Sequence, residues 1–150
     1  MKTTVSRRTV LAGIGAAGAA AALAPRVALA DKAAADEYLG KLTGGTAAQD
    51  GKVKLKLPQI AENGNTVQFT VTVDSPMTPE NYVKTIHIVA EGNPAPGVAS
   101  FHFTPTGKPE VTMRMRLSKT QDVRAVAMLS DGSVWQGSQE VKVTIGGCGG

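Results

Sequence analysis

Val67-Gln68-Phe69-Thr70-Val71-Thr72-Val73 decides the fold. Apolar residues occupy every second position and polar ones the positions between, the two-residue period of a strand with one face buried. Glu62-Asn63-Gly64-Asn65 precedes it and contains Asn-Gly, a strong turn dipeptide. The same period continues on both sides. Upstream, Val53, Leu55 and Leu57 alternate with Lys52, Lys54 and Lys56 until Pro58 closes the run. Those lysines read as the solvated face of an edge strand, where charge also discourages edge-to-edge pairing. Downstream, YVKTIHIVA ends at the loop EGNPAPG, and VASFHFT ends at PTGKPE. In VTMRMRL, Val111, Met113, Met115 and Leu117 face one way, and Thr112, Arg114 and Arg116 the other. VRAVAML turns at Asp131-Gly132, SVWQG follows, and QEVKVTI carries Val141, Val143 and Ile145 on one face. Seven or eight short strands between turn signals predict an all-β fold, an immunoglobulin-like antiparallel β-sandwich. The Cys…Trp…Cys spacing of true immunoglobulin domains is absent, so only the architecture is implied.

Two segments depart from this period. Asp31 to Gly45 carries Ala35, Tyr38, Leu39 and Leu42 at three- and four-residue spacing, with Gly44-Gly45 as a stop, which predicts a short N-terminal helix. Before it, residues 1–30 have the three parts of a signal peptide: basic KTTVSRR, apolar TVLAGIGAAGAAAALA, and the cleavage-type triplet Ala28-Leu29-Ala30. The pair Arg7-Arg8 after Ser6 resembles a twin-arginine export signal. A general secretory signal or an anchor is the plainer alternative. The apolar run is short and rich in glycine and alanine, against a bilayer requirement of about 20 strongly apolar residues. Cleavage after Ala30 leaves a mature chain from Asp31, with a β-sandwich domain over residues 31–145 and no membrane anchor.

Removing the leader also removes the charge excess. The chain has 16 basic and 12 acidic residues, and Lys2, Arg7, Arg8 and Arg26 lie in the leader with no acid among them. The remainder is neutral, so the basic balance is no signal for nucleic acid, which calls for basic residues clustered on one face.

Enzyme constellations are scarce. His87 and His102 lie in strand runs among apolar residues and read as structural, because a metal site needs further converging ligands. Met113 and Met115 read as core, and Trp135 as a core or interface aromatic. No metal site, catalytic group or intrinsic cofactor is expected. The C-terminus stands apart: after Ile145 come Gly146-Gly147-Cys148-Gly149-Gly150, and Cys148 is the sole cysteine. No internal disulfide can form, and a lone thiol in an exported protein points to an intermolecular partner or a reactive role. Four glycines make residues 146–150 read as a flexible arm, with an extended reach of about 17 Å. The thiol, lacking basic neighbours in sequence, is expected near the ordinary cysteine value of about 8.5. It then depends on other proteins for activation, as a swinging attachment point would.

VKVTIGGCGG, IAENGNTVQFTVTVDSPMTPENYVKTIHIVAEGNP, FHFTP and AMLSDGSVW together closely resemble the sulfur-carrier subunit (SoxY) family of the bacterial thiosulfate-oxidising Sox system. The resemblance covers essentially the whole mature chain. It implies a periplasmic carrier, itself without turnover, that holds thiosulfonate and sulfane intermediates covalently on Cys148 at the end of a Gly146, Gly147, Gly149, Gly150 arm. The implied partners are a companion subunit (SoxZ) forming a heterodimer, a c-type cytochrome complex (SoxAX), a thiohydrolase (SoxB) and a sulfane dehydrogenase (SoxCD). An exported binding or structural sandwich that uses Cys148 for intermolecular disulfides is the alternative of another class. A ubiquitin-like donor activated at Gly149-Gly150 is a third, but adenylation needs ATP, which an exported protein does not meet.

Overall fold

Residues 26–147 are described by the computed structural model. Helix α1 spans Arg26–Thr43, and nine strands follow among the described residues. They are β1 (Gln49–Asp50), β2 (Val53–Lys56), β3 (Ile60–Ala61), β4 (Val67–Val73), β5 (Val83–Ala90), β6 (Gly97–His102), β7 (Glu110–Met115), β8 (Gln121–Leu129) and β9 (Val134–Val143). They form two sheets, one ordered β2-β4-β7 and one ordered β1-β9-β8-β5-β6 with β3 added alongside β9.

Strand β4 sits at the centre of the small sheet because its alternation is satisfied on both sides. Val71 lies between Leu55 of β2 and Val111 of β7, and Phe69 lies opposite Met113. Val67, Phe69, Val71 and Val73 are all buried, each full burial contributing about 1.5–3 kcal/mol. The opposite face is polar: Thr70 pairs with Thr112 through their hydroxyls at 2.8 Å. Lys54 and Lys56 point to solvent from β2, which is the edge strand the lysine alternation predicts.

In the large sheet both faces are covered. Ile86, Ile88 and Ala90 of β5, with Val123, Ala125, Ala127 and Leu129 of β8, meet the small sheet in the main core. On the other face Val89, Val126 and Val134 pack under Ala35 and Leu39 of α1. Ion pairs fasten the helix beside this second core. Arg124 of β8 reaches Asp36 at 2.6 Å and also pairs with Glu91, while Lys119 pairs with Asp31. Those contacts begin at Asp31.

The sandwich and its N-terminal helix match expectation, with three differences. The helix begins at Arg26, within the expected leader, because the Arg26–Ala30 stretch contains no helix breaker and continues into an alanine-rich run. Two pairings are parallel, β1 with β9 and β3 with β9, so the sheet is mixed. SVWQG and QEVKVTI form one ten-residue strand, β9. Gly137 does not break it, and instead admits the backbone of β2: a Cβ there would lie 2.6 Å from the Val53 carbonyl oxygen.

Candidate functional site

The site is built from the last strand outward. β9 is zipped along its final residues by β3, with Lys142 N–H donating to Gln59 O and Thr144 N–H to Ala61 O. This pairing delivers residues 145–147 into a notch between two loops. One loop carries Gly64, after the Asn63 side chain has closed a local turn by accepting from Asn65 N–H at 2.9 Å. The other is Leu117–Thr120, at the end of β7.

Three backbone hydrogen bonds close a ring through the notch. Gly64 N–H donates to Ile145 O at 2.7 Å, Leu117 N–H to Gly64 O at 2.8 Å, and Gly147 N–H to Leu117 O at 2.9 Å. Glycine is required at each close approach. A Cβ on Gly64 would lie 2.2 Å from Leu117 O, one on Gly146 would lie 2.1 Å from Ser118 O, and one on Gly147 would lie 2.8 Å from Gly64 O. The nearest obstacle in each case is backbone, which cannot rotate aside. Gly147 is buried. Sequence reading assigns Gly146 and Gly147 to a free arm, but both lie in this seat, where absence of a side chain permits contact.

Buried side chains hold the second loop in place. Asn93 Nδ2 donates to Arg116 O at 2.9 Å, and its Oδ1 accepts from Ser118 N–H and from Gln121 Nε2, both at 3.0 Å. Gln121 Oε1 accepts from Gly92 N–H at 2.7 Å, and Ser118 Oγ donates to Gly92 O at 2.9 Å. Thr120 Oγ1 accepts from Val143 N–H at 2.9 Å, tying the loop to β9 itself. Asn93 and Gln121 are 8% and 7% exposed, and pairing is what makes such polar burial tolerable. Sequence reading places Asn93 only in a Pro/Gly loop and passes over Ser118 and Gln121. Their signal is spatial, because sequence separations of 25 and 28 hide the contacts.

Other expected site residues fall as follows. Cys148, Gly149, Gly150, Arg7 and Arg8 lie outside the described residues. His87 of β5 is buried and bonds Ser100 Oγ through Nδ1 at 2.7 Å, while His102 Nδ1 meets Thr85 Oγ1 at 3.2 Å. Burial, and then the neighbouring His102, lowers the His87 pKa and keeps the ring neutral. No group of three metal-ligating side chains occurs among the described residues. Trp135 is half-buried, donates from Nε1 to Ser133 Oγ, and carries Lys52 Nζ 4.7 Å from its ring centroid. A groove of about 450 Å³ runs beneath α1, but Arg124 within it is already paired with Asp36 and Glu91.

The glycine seat thus ends one residue short of the single thiol, and comparison with known proteins gives that arrangement a family. The family described as "Sulfur oxidation protein SoxY" matches residues 39–148. The structure of the sulfur carrier protein SoxY from Chlorobium limicola f thiosulfatophilum is 35% identical. That match covers 76% of this chain and 99% of the Chlorobium chain, with a TM-score of 0.65.

This chain belongs to the SoxY family.

The match to the family ends on Cys148 and includes Gly64, Asn93, Ser118, Gln121 and both seated glycines. More distant structures share the fold alone. Superoxide reductase (neelaredoxin) from Ignicoccus hospitalis is 22% identical, covering 62% of this chain and 80% of its own, with a TM-score of 0.56. A putative superoxide reductase from Thermotoga maritima is 18% identical over 64% and 93% of the two chains, also at 0.56. Among curated protein sequences none matches the chain.

Proposed function

We propose that this protein is a periplasmic sulfur carrier of thiosulfate oxidation, exported by the twin-arginine route and working with a companion subunit. Cys148 is the attachment point. The observation that carries the reading is the seat itself. A folded edge presents the chain up to Gly147, and the next residue is the sole cysteine, in a member of a sulfur-oxidation family.

The chemistry asks little of the carrier beyond a reachable thiol. In loading, the Cys148 sulfur forms an S–S bond with the outer sulfur of thiosulfate. The thiol proton is released, and two electrons pass to the c-type haems of the oxidising partner. In unloading, a thiohydrolase adds water to the terminal sulfonate sulfur. Sulfate and two protons leave, and the sulfane sulfur stays on Cys148 as a persulfide anion. A sulfane dehydrogenase then oxidises that sulfur to a sulfonate, taking three oxygens from water and passing six electrons to its own redox centres, and a second hydrolysis releases sulfate and returns the thiol. Sulfur–sulfur exchange requires a thiolate with steric access, and flanking glycines place no bulk beside the sulfur. A residue just past a folded seat suits the second requirement, and the partners supply the activation that the first needs.

Cys148→Ser tests this reading. The variant is expected to fold, bind the companion subunit and abolish thiosulfate-dependent electron delivery to the cytochrome. Undiminished electron delivery would refute the assignment.

A further inference from the structure

We infer that Asn93 is a positioning residue for the carrier arm, acting through the Arg116–Ser118 segment that seats Gly146 and Gly147. The inference deepens the carrier reading above and rests on it. No part of Asn93 is bonded to the arm. Its amide instead bridges the segment's two ends, donating to Arg116 O and accepting from Ser118 N–H. Between those ends lies Leu117, whose N–H and O are two corners of the backbone ring that captures Gly64 and Gly147. Beside it, the Ser118 carbonyl is the surface against which Gly146 is fitted. Gln121 holds Asn93 from behind and fixes which way its amide faces, since Nε2 of Gln121 can only donate to the Oδ1 end.

The consequence concerns reach. An arm free from Gly146 carries the thiol on its third residue, whereas one seated through Gly147 starts at Cys148 itself. Consecutive Cα atoms are 3.8 Å apart, so the seated thiol begins within about one residue of the sandwich surface. Loading then requires the oxidising enzyme to dock against that surface. A seated arm limits how many positions the thiol samples once the enzyme has docked. Release of the seat lengthens the tether and spreads the thiol over more positions. It leaves the sulfur equally open to a small reagent that needs no docking.

Asn93→Ala in the full chain with its companion subunit tests this, with Ile88→Val as a variant of similar modest instability remote from the seat. Amide exchange at Gly147 is expected to accelerate about tenfold in Asn93→Ala, the factor that one or two lost hydrogen bonds carry. Core amides of β5 and β8 keep their order of protection. Thiosulfate loading by the c-type cytochrome complex is expected to slow at least about threefold in kcat/KM, within the range that misplacement of a reacting group produces. Alkylation of Cys148 by iodoacetamide does not slow. Ile88→Val leaves the Gly147 amide and the loading rate as in the parent protein. Unchanged exchange at Gly147, unchanged loading despite faster exchange, or equal slowing of alkylation and loading would each overturn the positioning role. Failure of the carrier reading shows differently: the parent protein would then accept no thiosulfate on Cys148, while the exchange result would stand.

Discussion

Replacing Gly146 by alanine sets two meanings of the terminal glycines against each other. If residues 146 and 147 are loose spacer, alanine leaves folding stability unchanged. If they are seated, the added Cβ would stand 2.1 Å from Ser118 O, well inside the ~3.5 Å at which carbon contacts turn favourable. Ser118 cannot retreat easily, because Asn93 and Gly92 hold its N–H and hydroxyl. The arm must yield instead, and the expense is capped at the worth of the seat. Two bonds join the arm to the notch, Gly64 N–H to Ile145 O and Gly147 N–H to Leu117 O. At about 0.5–1.5 kcal/mol net for each, Gly146→Ala is expected to lose about 1–3 kcal/mol. That corresponds to a drop of several degrees in melting temperature for a domain of this size. Urea titration gives the first number, and amide exchange at Gly64 and Gly147 shows where it is lost. A variant as stable as the parent, with both amides still protected, would refute the seat.

Four further substitutions probe other parts of the fold. Gly40 lies inside α1 with nothing within 4 Å of a Cβ, so Gly40→Ala is expected to stabilise by about 0.5–1 kcal/mol, opposite in sign to Gly146→Ala; a loss in urea titration contradicts this. Arg124→Met leaves Glu91, 11% exposed, without its cation and is expected to cost about 1–3 kcal/mol. Asp36→Asn, at a carboxylate 52% exposed, is expected to cost below about 1 kcal/mol, and the reverse ranking in thermal melts contradicts the assignment. His87 has its pKa lowered by burial and by His102, so the unfolded chain takes up the proton first as pH falls below its ordinary value of about 6.5. Stability therefore declines as pH drops from that value toward the lower folded one. His87→Gln is expected to flatten stability between pH 7 and pH 5, and an unchanged slope contradicts the reasoning.

What sequence makes legible here depends on how many faces an element buries. β4 and β7 each bury one face, so their period of two is plain. β5 buries both, with Ile86 and Ile88 toward the small sheet and Val89 under α1, and its apolar run carries no direction. β1 and β3 are two residues each and pair in parallel with β9, too short for any period. Glycine is the most ambiguous letter. Gly137 resembles a strand break, and Gly146-Gly147 resembles slack, yet each permits backbone to approach backbone. Asn63-Gly64 reads as a turn, which it is, but its second role as the arm's clasp depends on Leu117 and Gly147, far away in sequence. Cys148 stands out in the sequence as the sole thiol; the network of Asn93, Ser118 and Gln121 does not, because polar residues in loops carry no mark of the partners that bury them.

Cys148 is the proposed attachment point for sulfur. Intact-protein and peptide mass spectrometry, after incubation with thiosulfate and the oxidising cytochrome complex, tests it most directly. A thiosulfonate adduct is expected on the C-terminal peptide, converted to a persulfide by the thiohydrolase and absent from Cys148→Ser. A terminal peptide that stays unmodified under turnover, or an adduct that survives in Cys148→Ser, would contradict it.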